Sequence, residues 1–161
     1  MQSVPESQQA SVYQAIVEQA AEAIILADRS GLVTLWNRGA ETVFGWTAAE
    51  VLGRSLDVII PERLRRAHWD GYRRAMDSGE TKYGGRVLAT RSMHKGGSKL
   101  YVDLSFAVVK DPAGVVIGAL AVGREVTARY VAEKELQARV RTLEEKLAAA
   151  STGPEAVGKA G

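Results

Sequence analysis

Ala23-Ile24-Ile25-Leu26-Ala27-Asp28-Arg29-Ser30-Gly31-Leu32-Val33-Thr34-Leu35-Trp36-Asn37 is the stretch on which the fold turns. Two short apolar, β-rich runs, 23–27 and 32–36, flank Asp28-Arg29-Ser30-Gly31. A short glycine-containing connection between such runs makes an antiparallel hairpin. Upstream, Val12, Ile16, Val17 and Ala20 recur at helical spacing, so a helix is expected from Ser11. Downstream, alternation stops. Asn37 is placed to cap a helix containing Ala40, Val43 and Phe44, and Thr47 to cap 48–52, with Glu50 completing a capping box. Gly45 and Gly53 end these pieces. Pro61 opens a longer helix through Leu64, His68 and Tyr72 to Met76, stopped by Gly79.

Strand patterns resume at 86–92, 100–109 and 117–126, joined by Lys95-Gly96-Gly97-Ser98 and Lys110-Asp111-Pro112-Ala113-Gly114. Helix, two strands, short helices, three strands is an α+β order. It specifies a five-stranded antiparallel sheet with helices gathered on one face. After it, 128–150 is rich in helix formers, with Leu136, Val140, Leu143 and Leu147 spaced four, three and four. That is a heptad seam of about two repeats. It serves either a homodimer through the terminal helices or an amphipathic helix lying on its own domain. The expected organisation is a flexible tail at 1–9, a domain at 10–127, a signalling helix at 128–150 and a disordered tail at 151–161.

Composition narrows the function. The 161 residues are 46% hydrophobic, 25% charged and 6% aromatic, as in a single globular domain. Lys plus Arg is 21 against 19 Asp plus Glu, and this balance argues against nucleic acid as a partner. With no cysteine, disulfides, cysteine-ligated zinc, iron–sulfur clusters and thiol catalysis are excluded. Residues 1–7 carry neither a basic nor an apolar leader region, and the longest mostly apolar stretch, 114–123, is too short to span a bilayer. A cytoplasmic protein without a membrane partner is expected. There is no phosphate-binding loop and no His/Ser/Asp set, so no enzyme is expected; Gly84-Gly85 reads as a bulge at a strand start.

The hairpin residues with Gly31, then Trp36-Asn37, Phe44-Gly45-Trp46, Glu50 and Gly53, resemble the first half of a PAS domain of the S-box type. Gly79-Glu80, Lys95-Gly96-Gly97-Ser98 and Val122-Gly123-Arg124-Glu125-Val126-Thr127 resemble its second half, with Glu125 where that family usually has Asp. The resemblance implies a sensory, signal-transduction module. Such a module holds a small ligand between sheet and helices, or holds none and pairs chains, and signals through flanking helices. It also implies candidate ligands. Flavin chemistry through a cysteinyl adduct is excluded, and a non-covalent flavin is left open. Pro61-Glu62-Arg63-Leu64-Arg65-Arg66-Ala67-His68 resembles the helix that presents the axial histidine in oxygen-sensing haem-PAS kinases.

By that resemblance His68 is the candidate metal ligand of b-type haem, and Arg86 the partner of bound oxygen or a propionate. Tyr72 and Trp69 flank His68, and Leu104 and Phe106 cover the distal face. This chain reads His68-Trp69-Asp70-Gly71-Tyr72 where those kinases have His-Asp-x-Tyr, and its segment before Arg86 is shorter. His68 shares a helical stripe with Leu64 and Tyr72, so a half-buried structural histidine is the competing reading. Two alternatives stay beside haem: a cofactor-free dimerisation module, and a domain binding a carboxylate or aromatic metabolite through arginines. Arg63, Arg65, Arg66, Arg73 and Arg74 read as a solvated face or as counter-charges for such a ligand. His94 is expected to be solvated.

Overall fold

The computed structural model describes residues 5–153. It comprises two units, one ending at Val126 and one beginning at Thr127. In the first, helix α1 runs Glu6–Gln19 and so begins before Ser11. Pro5 leads the chain into it, and the glutamines that follow are adequate helix formers. The expected tail therefore shrinks; residues 1–4 lie outside the described residues.

Strands β1 (Ala23–Asp28) and β2 (Val33–Trp36) form the hairpin. The Asp28 carboxylate accepts from the backbone N–H groups of Ser30 and Leu32 at 2.8 and 3.1 Å, and Gly31 takes φ +83°. An acceptor at the start and a left-handed glycine at the end close the turn. Helix α2 (Arg38–Phe44) is capped by the Asn37 side chain, and α3 (Ala48–Val51) by the Thr47/Glu50 capping box. A 3-10 turn, Leu56–Val58, was not foreseen from the sequence. Helix α4 spans Glu62–Ser78, and Gly79 ends it at φ +74°.

Strands β3 (Leu88–Met93), β4 (Lys99–Lys110) and β5 (Val116–Glu125) complete one antiparallel sheet in the order β2-β1-β5-β4-β3. Strand β3 starts at Leu88, later than 86. Gly84 and Gly85 both take positive φ in a turn ahead of it, so they are turn residues and not a strand bulge. The α+β architecture is the one expected.

Register explains where space is left. On β1, Ala23, Ile25 and Ala27 are buried. Ile25 faces Ala121 and Ala27 faces Ala119 of β5; across β5, Phe106 of β4 also faces Ala121. Opposite Ile25 and Ala27 the central strand thus offers only alanine side chains. Larger residues around them (Trp36, Phe44, Val51, Tyr72, Met76, Val102) build the core. Small side chains mid-sheet, ringed by large ones, leave volume that close packing does not fill.

The second unit is helix α5, Thr127–Ser151, with no buried residue. Leu136, Val140, Leu143 and Leu147 are 62, 46, 57 and 74% exposed. Ser151 still belongs to this helix, and residues 154–161 of the expected tail lie outside the described residues. Among the described residues no helix is long and apolar enough to cross a membrane.

Candidate functional site

A cavity of about 1030 Å3 lies in the first unit, lined by β1, the 3-10 turn, α4, the turn at 80–83 and strands β3 to β5. It is at the upper end of the volumes typical of small-molecule sites. Helix α4 gives it Leu64, Ala67, His68, Gly71, Tyr72, Ala75 and Ser78, a three-and-four spacing that keeps one helix face toward the space. The opposite wall is apolar, with Ile25, Ala27, Leu104, Phe106, Ala119 and Ala121. Arg74, Lys82 and Arg91 contribute positive charge to the lining, and Asp77 and Glu80 negative.

Of the residues singled out from sequence, His68, Tyr72, Leu104 and Phe106 line the cavity. Tyr72 is buried, and its hydroxyl reaches the carbonyls of Ala27 and Asp28 at 3.1 and 2.6 Å. That bond ties α4 to the end of β1. Burial first, then the nearby Asp28 carboxylate, push the phenol up to about 12, so it stays a neutral donor. Leu104 is buried, and Phe106 meets Tyr83 with ring centroids 5.7 Å apart.

His68 differs from its neighbours. Its Nδ1 is buried and has no hydrogen-bond partner among the described residues. Burial lowers its pKa from the ordinary 6.5, with the Asp57 carboxylate pulling the other way. The imidazole is therefore neutral near pH 7, the form that can ligate a metal. Its surroundings are aromatic: the Trp69 ring stands edge-on at 4.7 Å and the Tyr72 ring lies at 5.8 Å. Among the described residues no three His, Asp or Glu side chains gather into a metal site. An axial ligand of a macrocycle needs only one.

Two other candidates sit elsewhere. Arg86 does not line the cavity; it is exposed, and its Nε donates to the Tyr83 carbonyl at 3.1 Å. The Gly84-Gly85 turn folds it back on its own loop before β3 begins. Trp69 also lies off the cavity lining. Its Nε1 donates to Asp57 Oδ1 at 2.9 Å, and its ring packs on Gly31, where a Cβ would meet it at 2.2 Å. Trp69 thus clamps α4 to the hairpin turn.

His94 is half-buried and not solvated as expected. It lies over Gly45, where a Cβ would meet its Nε2 at 2.4 Å, and its Nδ1 accepts from Gly96 N–H at 2.9 Å. Of the basic stretch, Arg65 binds the carbonyls of Ile60 and Asp57, Arg73 pairs with Asp70, and Arg74 lines the cavity. Sequence reasoning missed Lys82, Tyr83 and Arg91. The first two come to the site only through the path of a turn, which periodicity does not report.

The PAS fold model matches residues 12–126. The oxygen sensor protein DosP of Escherichia coli is 29% identical over 119 residues, which is 74% of this chain and 14% of DosP. The sensor protein FixL of Bradyrhizobium diazoefficiens is 35% identical over 51 residues, 32% of this chain and 10% of FixL. The chain thus spans a small fraction of the curated relatives it matches. Among solved structures, a PAS domain from Colwellia psychrerythraea superposes with a TM-score of 0.64 at 18% identity, covering 74% of this chain and 98% of its own. With the family matched over most of its length and a five-stranded sheet in the order β2-β1-β5-β4-β3, this chain belongs to the PAS family.

Proposed function

We propose that this PAS domain is a sensory module whose cavity takes b-type haem, with His68 as the residue that would ligate its iron. The observation that carries this reading is the buried Nδ1 of His68, left without a partner on a residue that lines a cavity of about 1030 Å3. A buried polar atom with nothing to meet costs roughly 1–3 kcal/mol, a penalty that marks this imidazole out among the residues lining the cavity. The name of the E. coli relative, an oxygen sensor, favours the same class of signal.

When bound, haem supplies an iron whose ligation or redox state responds to a diatomic gas. The remaining work belongs to the chain's own residues. His68 holds the group by a ring that burial keeps unprotonated. Arg74, Lys82 and Arg91 would offer cations to the propionate carboxylates, one of the two roles the resemblance implied for Arg86. Leu104 and Phe106, across the sheet side, exclude water from the remaining face. A change at the site reaches β4 and β5 through these two side chains, and β5 continues along the chain into α5. The reading is of a sensor and not of an enzyme.

The test is a hemin titration of the purified chain followed by absorption, repeated on His68→Ala. A Soret band in the parent that vanishes or shifts in the variant is expected. A band unchanged by the substitution would remove His68 as ligand. No band at all would overturn the haem reading and leave the same cationic lining to a carboxylate-bearing metabolite. A cofactor-free pairing module is the second reading, and the exposed stripe of α5 favours it.

A further inference from the structure

Residues 80–87 join α4 to β3, and part of this connection is cavity wall: Glu80, Thr81, Lys82 and Tyr83 line the space. Among the described residues, the hydrogen bonds of 80–86 reach no further than Ser78, the last residue of α4. The Glu80 N–H donates to Ser78 Oγ at 3.3 Å, and the Ser78 hydroxyl donates to the Glu80 carbonyl at 3.1 Å. Arg86 donates to the Tyr83 carbonyl from its backbone N–H and from Nε, each at 3.1 Å. A segment whose hydrogen bonds stay local opens at a free energy far below that of the whole domain.

A ring pair ties this segment to the sheet. The Tyr83 and Phe106 centroids are 5.7 Å apart, and Phe106 lies on β4 opposite Ala121 of β5. Lys82 Nζ stands 5.2 Å over the Tyr83 ring, so a cation of the cavity lining travels with that ring.

The two ends of the segment differ. At Gly79 a Cβ would meet Lys110 Cε and Nζ at 3.1 Å, so this end is packed. At Gly84 and Gly85 a Cβ would meet nothing within 4 Å, yet both take positive φ, +56° and +75°. Space would admit a side chain at either position. The backbone conformation is what calls for glycine, and glycine leaves the chain free to take others. We infer that residues 80–87 are a strap over the cavity, hinged at Gly84-Gly85 and latched by Tyr83 on Phe106, and that a ligand enters and leaves when the latch releases. A carboxylate-bearing ligand would draw Lys82 toward itself and hold the strap shut. The strap serves any occupant of the cavity, haem or not, and opens with none present.

The chain has no cysteine, so single cysteines report access without background. Ala121→Cys puts a thiol on the cavity wall opposite Phe106, and Val51→Cys puts one in the core outside the cavity lining. Each is reacted in the full-length chain with fluorescein maleimide, a bulky thiol reagent, and compared with the same variant unfolded in urea. At Ala121→Cys the reaction is expected to be slow, and about tenfold faster once Tyr83→Ala is added, the bias one aromatic contact can supply. Tyr83→Phe keeps the ring and is expected to change nothing. At Val51→Cys, Tyr83→Ala is expected to leave the rate as it was. Ala75→Cys, on the α4 wall of the cavity, is the second reporter should Ala121→Cys not fold. A cavity thiol that reacts in the folded parent as fast as in urea would overturn the inference, because nothing would then close over it. So would no effect of Tyr83→Ala, or an equal acceleration at both thiols, which would make Tyr83 a support of the whole domain. No ligand is added, so each outcome is independent of whether hemin binds.

Discussion

Replacing Asn37 by alanine removes one side chain that joins three elements. Asn37 is 1% exposed. Its Oδ1 accepts from Ala40 N–H at 2.9 Å, capping α2, and from Ile24 N–H at 2.8 Å, extending the β1–β2 ladder. Its Nδ2 donates to the carbonyls of Val17 and Glu22 at 2.8 and 3.0 Å, fastening the end of α1. Loss of a helix cap alone costs about 1 kcal/mol. The orphaned Ile24 N–H and two abandoned carbonyls add roughly 1 kcal/mol each, the low end of the cost of a buried unpaired group, so a total of about 4 kcal/mol is expected. In urea, with a slope near 2 kcal/mol/M, the unfolding midpoint falls by about 2 M. Asn37→Asp separates the two halves of the argument. Its carboxylate keeps the acceptor but turns a negative oxygen toward two carbonyls, so at neutral pH it is expected to be no better than alanine. Acidification, which gives that carboxyl a proton to donate, is expected to narrow its deficit against the parent. A loss below about 1 kcal/mol for Asn37→Ala would refute the reasoning, because it would mean that the three attachments stand without their common bridge.

Gly31→Ala places a methyl 2.2 Å from the Trp69 ring on a backbone at φ +83°, so strain and overpacking act together and a loss of about 2–4 kcal/mol is expected. The check is thermal unfolding of Gly31→Ala and of the double variant with Trp69→Ala; without the ring, the added cost of the methyl is expected to drop to the backbone part alone. For His68 the folded-state pKa lies below its ordinary 6.5, so the unfolded chain takes up the proton first. Its contribution is intact above about pH 6.5 and is lost as the pH falls through the folded value. Urea unfolding between about pH 8 and about pH 5 is expected to give a steeper loss for the parent than for His68→Gln. Equal slopes would mean that the imidazole gains its proton in the folded chain as readily as in the unfolded one.

The fold was legible because its local signals agree with one another. Asn37, Thr47 with Glu50, Gly45 and Gly79 mark helix ends by chemistry that acts within a few residues, and each ends or starts a helix where expected. The apolar run 23–27 became strand β1, and the structure adds which of its residues, every second one, are buried. Misreadings came where a distant partner decides. Residues 86–87 look like strand, yet Gly84 and Gly85 turn the chain just before them and pairing with β4 begins at Leu88. Leu32 looks like strand too, but its only bridge runs to Ser55, outside the sheet.

The site was legible only in part, and the reason is physical. A stripe of i and i+4 residues on α4 says which face turns inward, and this suffices to bring His68 and Tyr72 together. It does not say what each neighbour on that face will meet. Trp69, one place along, leaves the cavity for the hairpin turn because Gly31 offers a surface that only a distant element can use. The cavity itself leaves no sequence signal, because Ile25, Ala27, Leu104 and Ala121 follow the same alternation whether a helix or a ligand covers them. The exception is a polar side chain set among apolar ones. A sequence shows such a residue, and only the fold shows whether the protein provides its partner; for His68 Nδ1 no described residue does. That leaves the imidazole, among the residues lining the cavity, as the one with a buried nitrogen that no described residue satisfies, and so as the side chain whose substitution tests an occupant most directly.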